Sequence, residues 1–537
     1  MARLTDDSGR EGSTPGAPRW TWRDREALAR RRGVVLDPAL QPAGEREVHS
    51  TVYEPDVLLV RPGAEDDGTV TVQALDALAA AAGWTVTEEP LAEPPRRPGT
   101  DRRRPGESLP GVARTIRARI RLAPDAEAGS PVRRPDAWQL LRAARRKGMK
   151  GVALNHVLSI GPFTGNPFTG NPFTGNPFTG NPFTGNPFTG NTGGMSGYAF
   201  PGFGGRQPVA YTGPGPVRSG AKAPRPVVAV LDTGCGIHPW FGGDVLVSAG
   251  ELGGTIGIDD PASDPETHPA LGDPLNGVLD PAAGHGTFIA GIVLQACPDA
   301  RILPVRVSDG QGVILENELL AALGQVVALL EGGTRIDVMN LSFGYYHESE
   351  GSSTIDGELY ELLSRARAKG CVVVCSAGND ATDRPSSPAA LYAWKGDECA
   401  VAPEDEKGLA PQVVVGALNP SGGSVALFSN VGPWVPTFAR GVSVLSTMPR
   451  FEGGVQGDLR DDGYERRRET LDIDDFQDGF AVWSGTSFAA PLVAGRIAAQ
   501  IVADAKTATA TGKASGIAAI VRDAVAGIDG EDGSRIA

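Results

Sequence analysis

The chain has 537 residues, a length that predicts two or three domains and a large buried core. Its 50 Lys and Arg residues against 64 Asp and Glu residues give a net charge of −14. Phosphate recognition needs clustered positive charge, so this balance argues against a nucleic-acid partner and predicts a soluble, acidic protein.

Targeting segments are not visible in the sequence. The first twenty residues contain no apolar run long enough for a secretory signal, and we find no apolar run of about 18 residues elsewhere. The five cysteines are sparse and odd in number, unlike the dense, even sets of disulfide-stapled secreted domains. We therefore predict free thiols, a cytoplasmic location and no membrane partner; secretion by another route stays open.

The N-terminal part is predicted to hold a tail and a small domain. Residues 1–47 are polar, charged and interrupted by Pro and Gly, which predicts a disordered polar tail. From 48 to 160, strand-like and helical spacings alternate. The predicted elements are strand Val57–Val60, helix Val72–Ala82, strands Thr85–Thr87 and Ile116–Leu122, helix Ala137–Arg146 and strand Val152–Ile160. This β-α-β-β-α-β order predicts a small α+β open-faced sandwich, with an unrelated α+β domain as the alternative.

Residues 161–221 are predicted to form a linker. Six tandem copies of Pro-Phe-Thr-Gly-Asn run from Pro162 to Asn191, each with a helix-breaking Pro and a Gly. No apolar spacing within a copy can build a core. We interpret the repeats as a spacer without chemistry; a processing or recognition segment is the alternative.

From 222 to 537, apolar runs of strand length alternate with helical patterns. The predicted strands are Val227–Leu231, Ile302–Val307, Ile336–Leu341, Val372–Cys375, Val413–Ala417 and Val442–Leu445. The predicted helices are Ile314–Leu330, Ile355–Lys369, Ser487–Ala503 and Gly516–Ala526. This alternation predicts a doubly wound, mostly parallel α/β sheet, whose active site lies at the carboxyl ends of its strands.

Four short segments at such ends carry reactive side chains. Asp232 directly follows five apolar residues, where a strand gives way to a loop, and His285 stands between glycines at the start of an apolar helical run. Ser487 opens a helix rich in Ala and Gly, so unpaired N–H groups face its hydroxyl. Asn379 follows another strand and offers an amide donor. Taken singly, the histidine could be structural, the serine an N-cap and the asparagine a turn residue.

Together these segments resemble the subtilisin-like serine proteases, the subtilases. The matching strings are Asp232-Thr-Gly, Gly284-His285-Gly-Thr, Ser376-Ala-Gly-Asn379 and Gly485-Thr-Ser487-Phe-Ala-Ala-Pro491. They occur in the order Asp, His, Asn, Ser, and the resemblance covers about residues 222–505. It implies a subtilisin-like fold and a serine endopeptidase acting on proteins or peptides.

The resemblance also implies the roles of individual residues. Ser487 would be the nucleophile, His285 the general base and Asp232 the acid that orients it, while Asn379 completes the oxyanion hole. Two segments would bind the substrate strand and line an apolar pocket, and their residues are Ser342, Phe343, Gly344, Ser376, Ala377 and Gly378.

With this family in view, residues 48–160 resemble its inhibitory prodomain, which would make the chain a zymogen held by its own intramolecular inhibitor. No cofactor is required. Calcium binding is left open, because the acidic groups Asp259-Asp260 and Asp472-Ile-Asp474-Asp475 lack a convincing ligand spacing. Cys235, three positions after Asp232, suggests redox control, but a small buried thiol is the favoured interpretation.

Two other functions compete with this interpretation. Asp232-Thr-Gly is also the triplet of aspartic proteases, but that chemistry needs two carboxylates and the chain contains the triplet once. A pseudoprotease that binds peptides without turnover is the non-enzymatic alternative.

Overall fold

The structure is a computed structural model. It describes residues 33–41, 48–61, 71–89, 115–124, 133–160, 198, 204–220, 224–272, 277–349, 357–394, 399, 401, 405–454, 457, 459–461, 464, 466–511 and 516–531. The six repeats and the predicted tail up to residue 32 lie outside these residues.

The N-terminal domain is an antiparallel sheet with two helices on one face. Its elements are β1 Val34–Leu36, β2 Thr51–Val60, α1 Val72–Ala79, β3 Trp84–Glu89, β4 Ile116–Leu122, α2 Ala137–Arg146 and β5 Val152–Ser159. The strand order is β3-β4-β2-β5, and β1 pairs with the start of β2. The predicted β-α-β-β-α-β open-faced sandwich is therefore confirmed.

Local sequence signals explain where the two helices begin. Thr71 caps α1 by accepting a hydrogen bond from Ala74 N at 3.2 Å, and Asp136 caps α2 by accepting one from Gln139 N at 3.1 Å. The apolar face of the sheet and the facing sides of both helices form one core, which includes Leu58, Leu75, Ile120, Leu141 and Leu154.

The second domain is built on a six-stranded sheet. Its elements are β6 Gln207–Pro208, β7 Val227–Asp232, α3 Ala249–Leu252, α4 His285–Ala296, β8 Arg301–Arg306, β9 Val313–Leu315, α5 Glu316–Glu331, β10 Val338–Leu341, α6 Gly357–Ala368, β11 Val372–Ser376, β12 Gln412–Leu418, β13 Thr437–Arg440, β14 Val444–Thr447, β15 Leu459–Asp461, β16 Arg467–Glu469, β17 Phe480–Trp483, α7 Thr486–Thr511 and α8 Ile517–Glu531. The sheet runs β13-β12-β11-β10-β7-β8, with every neighbouring pair parallel.

Both faces of this sheet are buried, as shown by alternate residues of β7. Val228 and Val230 belong to a core with α4 and α7, whereas Ala229 and Leu231 belong to a second core with α5 and α6. Helices on both sides of a parallel sheet explain why its strands are unbroken apolar runs. The predicted doubly wound α/β fold is confirmed.

One predicted strand joins a different sheet. The run Val442–Leu445 contributes to β14, which pairs antiparallel with β17 in the small sheet β14-β17-β6. The place beside β12 is taken by β13, and the chain then turns away through Ser443, whose φ of 51° lies in the left-handed region. An apolar run cannot reveal which sheet it joins.

Two segments assigned to the tail and the linker belong to the folded domains. Val34–Leu36 pairs antiparallel with Thr51–Tyr53, and Gln207–Pro208 pairs with β17. Both are too short to show a period in the sequence, yet an open sheet edge needs only a few backbone partners. The folded domains therefore begin before residues 48 and 222.

Helix α7 carries the longest apolar stretch. The window Thr486–Lys506 is long and apolar enough to cross a membrane, with a mean hydropathy of 1.3, which differs from our expectation of no such run. However, 67% of this window is buried inside the structure. Burial against the sheet accounts for its composition, since a helix that is apolar all round is a core helix of a large domain.

Candidate active site

Asp232 and His285 meet at the carboxyl end of the sheet. Asp232 is the last residue of β7 and His285 the first of α4. His285 Nδ1 lies 2.8 Å from Asp232 Oδ1, and both side chains are fully buried. Gly284, before the histidine, has a φ of 80°, and a Cβ there would meet Met448 Cε at 2.5 Å. Glycine is therefore required for the turn that presents the ring.

The hydrogen bonds of Asp232 fix the orientation of the imidazole. Asp232 Oδ1 also accepts from Thr233 N at 2.8 Å. A carboxylate can only accept, so His285 donates through Nδ1, and its lone pair is on Nε2. Among the described residues, buried His285 Nε2 has no hydrogen-bond partner. This nitrogen is therefore positioned to take a proton from another group.

Ser487 lies at the start of α7, in its first turn. Its hydroxyl donates to the Ser342 carbonyl at 3.3 Å, and Ser342 Oγ donates to the Ser487 carbonyl at 3.1 Å. The structure does not join Ser487 to His285 by a hydrogen bond, but the histidine ring packs against Phe488, with centroids 5.1 Å apart. The Ser487 bond is long for a hydroxyl donor and hence weak.

Asn379 is held by the residue before the serine. Asn379 Oδ1 accepts from Thr486 N and from Thr486 Oγ1, both at 2.9 Å. Thr486 Oγ1 in turn accepts from Gly378 N at 3.2 Å. This arrangement sets the Nδ2 donor end of the amide on the side opposite Thr486.

One of the two predicted substrate-binding segments pairs with β5 of the N-terminal domain, at Gly344. Ser159 and Gly344 exchange two backbone hydrogen bonds of 3.1 Å, and Ile160 N donates to Gly312 O at 2.8 Å. Just before them, β5 pairs antiparallel with β9. The chain's own strand thus lies between Gly312 and Gly344.

The segment predicted as the opposite wall lies at the end of β11. Ser376 and Ala377 are buried, and so is Phe343, which follows the neighbouring strand β10. The Ala377 carbonyl accepts from Ser386 Oγ at 3.1 Å and from Asn430 Nδ2 at 2.9 Å. These contacts rigidify the segment that leads to Gly378 and Asn379.

The polar face of the N-terminal sheet rests on the second domain. On β4, Arg119 is buried among Glu54, Asp56 and Glu89, and Arg117 Nη1 donates to Asn317 Oδ1 at 2.8 Å. Arg117 therefore contacts the second domain, Arg119 is paired within the sheet, and Arg121, further along the same face, is exposed.

A charged group at this interface, which we call the interface cluster, comprises His156, Arg145, Glu316 and Glu348. His156 Nδ1 lies 2.7 Å from Glu316 and its Nε2 lies 2.9 Å from Glu348, while Arg145 binds Glu348 at 2.5 Å. Burial lowers the pKa of His156, but the two carboxylates outweigh burial and raise it to about 10. His156 is therefore an imidazolium ion shared by two acids.

In the described part of the chain, one group of three side chains could hold a metal ion, and it overlaps this cluster: His156, His347 and Glu348. Its histidine and carboxylate atoms already pair with each other and with Arg145. Of the acidic groups considered for calcium, Asp260 accepts from Ala262 N and Ser263 Oγ, and Asp472 accepts from Asp474 N. These bonds are those of turns and helix caps.

Sequence reasoning missed Glu266, which lies beside the Asp232–His285 pair. Its carboxylate accepts from Thr233 Oγ1 and Thr287 Oγ1, each at 2.5 Å. No motif marks Glu266, because it sits in an irregular polar loop. Nearby Cys235 has its pKa raised well above the usual range by burial and by Glu266, so it is an unreactive thiol.

The fold and these residues define a class: doubly wound α/β proteins with a buried Asp–His pair beside a serine at a helix N-terminus. Within this class, the chain belongs to the subtilase family, whose model matches residues 224–533.

Individual relatives are distant. An intracellular serine protease of Paenibacillus polymyxa is 28% identical over 287 residues, which cover 50% of this chain and 65% of the relative. An extracellular protease of Xanthomonas campestris pv. campestris is 26% identical over 295 residues, covering 51% of this chain and 43% of the relative. The chain thus spans less than two thirds of the length of either.

The crystal structure of fervidolysin from Fervidobacterium pennivorans, a keratinolytic enzyme related to subtilisin, aligns at 19% identity and a TM-score of 0.43, over 87% of this chain and 58% of fervidolysin.

Proposed function

We propose that this chain is a serine endopeptidase in which Asp232, His285 and Ser487 form the charge relay. The observation that carries the proposal is the fully buried Asp232–His285 pair, 2.8 Å apart, at the carboxyl end of a parallel sheet. Ser487 in the first turn of α7 supplies the hydroxyl. Membership of the subtilase family agrees with these roles.

In the proposed reaction, Ser487 Oγ attacks the carbonyl carbon of a peptide bond while its proton passes to His285 Nε2. Asp232 accepts the Nδ1 hydrogen and stabilises the imidazolium. The C–N bond then breaks, and the Nε2 proton moves to the leaving amine. Water hydrolyses the acyl-enzyme by the same route and regenerates Ser487. These side chains carry every step, so the reaction requires no cofactor.

The oxyanion is stabilised by Asn379 Nδ2 and the backbone N–H of Ser487. Because Thr486 holds the Asn379 oxygen, the amide is oriented before substrate arrives. We expect Asn379→Ala to lower kcat by about 10²- to 10³-fold, with a smaller change in KM, since this donor acts mainly in the transition state. Steady-state kinetics on one peptide would show it; unchanged kcat excludes Asn379 from the oxyanion hole.

The substrate is a protein or peptide that binds as an extended strand between Gly312 and Gly344. Both residues offer backbone groups that β5 uses in this structure. Ser342 and Phe343 continue one edge, and Ser376, Ala377 and Gly378 form the other wall of the pocket. Apart from Phe343 these residues are small, which leaves room for an apolar side chain of the substrate.

The N-terminal domain would act as an intramolecular inhibitor. Since β5 occupies the strand position that we assign to substrate, hydrolysis requires Ser159 and Ile160 to leave the cleft. The chain is then a zymogen, activated when the domain withdraws or is removed.

A peptide-binding pseudoprotease is the second candidate, and one observation favours it: Ser487 Oγ donates to Ser342 O rather than to His285. A fluorophosphonate probe separates the two functions. Such a probe forms a covalent bond only with an activated serine. We expect wild type to be labelled at Ser487, identified by peptide mass, and Ser487→Ala to stay unlabelled. An unlabelled wild type that still binds peptides supports the pseudoprotease.

We also propose that the protein works in the cytoplasm. All five cysteines are free, and two of them, Cys371 and Cys375, are fully buried. The names of the two relatives point in opposite directions, one intracellular and one extracellular.

A further inference from the structure

Glu266 connects the two loops that carry Asp232 and His285. Its Oε1 accepts from Thr233 Oγ1 at 2.5 Å and from Gly286 N at 3.2 Å, and its Oε2 accepts from Thr287 Oγ1 at 2.5 Å. Each donor lies within two positions of Asp232 or His285 in the sequence. Only 4% of Glu266 is exposed, so water does not compete for these hydrogen bonds.

The Thr233 hydroxyl has two acid neighbours and one proton. Its oxygen accepts from Gly286 N at 2.8 Å and lies 2.5 Å from Glu266 Oε1 and 3.2 Å from Asp232 Oδ1. A hydroxyl donates once and accepts twice. While Glu266 is ionised, the shorter contact takes the Thr233 proton. If Glu266 gains a proton, it can donate to Thr233 Oγ1, and the Thr233 proton then points to Asp232.

The groups around Glu266 bring its protonation into a pH range in which activity can be measured. Burial raises the pKa of Glu266 to about 7, opposed by the two threonine hydroxyls and reinforced by Asp264 and Asp232. Cys235, whose thiol pKa is raised by burial and by Glu266, and Arg306 also lie near it, and His285 adjoins its donor Gly286 in the chain. The guanidinium of Arg306 is directed to the carbonyl oxygens of Asp260 and Ser263.

We propose that Glu266 is a positioning residue whose protonation moves the Thr233 proton from Glu266 to Asp232 and so weakens the hold of Asp232 on the His285 imidazolium. This inference rests on the proposed protease function. Ionised Glu266 leaves Asp232 Oδ1 with two strong donors, the Thr233 amide and His285. Protonated Glu266 adds a third donor that neutralises part of the Asp232 charge. The transition state, which contains the imidazolium, is stabilised most when Glu266 is ionised.

The test is Glu266→Gln, which keeps the shape and permanently supplies a donor at the position of the protonated acid. At pH 8 we expect kcat about 3- to 10-fold below wild type with KM within about twofold, the effect of one added hydrogen bond to Asp232. Wild type should lose this advantage as the pH falls through about 7, so the two kcat profiles converge in acid. Glu251→Gln, an exposed carboxylate on α3 far from Asp232, is the matched control and should follow wild type.

A spectroscopic readout keeps the inference testable if hydrolysis is absent. In ¹H NMR of the full chain, the low-field resonance of His285 Nδ1–H reports the hydrogen bond to Asp232. We expect it to shift with pH near 7 in wild type and to lack this shift in Glu266→Gln. If Glu266→Gln fails to fold, Thr233→Val, which removes the relay hydroxyl, should abolish the same shift. An identical titration in wild type and in a folded variant overturns the role of Glu266, whereas absence of labelling at Ser487 overturns the protease function.

Discussion

Replacing Ser487 with alanine is expected to abolish peptide hydrolysis, with a fall in kcat of about 10⁶-fold, the loss found when a subtilisin loses its triad serine. The reason is chemical: alanine provides no nucleophile, and His285 Nε2 then has no hydroxyl to deprotonate. Stability should change little, because the Ser487 hydroxyl makes one weak hydrogen bond of 3.3 Å, to Ser342 O. Turnover of a fluorogenic peptide measures the first effect and thermal unfolding the second.

The matched control is Ser421→Ala, which removes an exposed hydroxyl in the turn after β12 and should retain full activity. Hydrolysis by Ser487→Ala above the level of a mock purification would exclude Ser487 as the nucleophile. A folded wild type with the same residual rate as Ser487→Ala would instead favour the pseudoprotease.

His156→Ala is expected to weaken docking of the N-terminal domain by about 3–5 kcal/mol, or roughly 10²- to 10⁴-fold, because a buried ion pair loses one partner and leaves the other charges uncompensated. His156 and Glu316 are each only 1% exposed, so water cannot replace the lost partner. Hydrogen exchange at the amides of Ser159 and Ile160 measures docking directly, since both amides donate across the interface. Peptide turnover by the full chain should rise in parallel.

Arg121→Ala is the control for this variant, because Arg121 is an exposed arginine on β4 that lies outside the interface cluster. It should leave amide exchange and basal turnover as in wild type. Unaltered exchange in a folded His156→Ala protein would show that the interface cluster does not hold the two domains together.

The same cluster predicts that docking weakens in alkali. The pKa of His156 is about 10 when docked, and an undocked histidine has an ordinary pKa of about 6.5. The stabilisation is therefore complete below about pH 6.5, falls as the pH rises, and is lost above about 10. Exchange of the Ser159 amide, corrected for its intrinsic pH dependence, should accelerate over this range in wild type and not in His156→Ala.

Much of the fold could be predicted because hydrophobic periodicity is local. The bounds of β4 and α2 agree with the sequence pattern to the residue, and the strand order of the small domain follows from its β-α-β-β-α-β succession. The edge strands β1 and β6 could not be predicted, because two or three residues are too few to show the alternation of apolar and polar side chains that marks a strand. The turn at Ser443 decides which sheet β14 joins. This turn depends on packing between distant parts of the chain, so the local sequence does not reveal it.

The candidate site likewise contains residues that the sequence could predict and residues that it could not. Asp232 and His285 could be brought together from the sequence because each has a recognisable local string, and the structure places them in contact. Glu266 and the interface cluster have no such string. His156 and Glu348 are 192 positions apart in the chain, and a charged residue in a loop usually indicates a solvated surface. Only the packing of two domains shows that these charges are buried and paired.

The arginine-bearing face of β4 determines what kind of surface the N-terminal domain would expose to water if it separated from the second domain. Protein surfaces that separate usually expose apolar groups, which then aggregate or attract chaperones. Here Arg117, Arg119, Glu54 and Glu89 already pair with one another within the sheet, so water can cover this face at little cost. A separated N-terminal domain would therefore expose a face whose charges are already paired and could dock again, so the inhibition that we propose would be reversible.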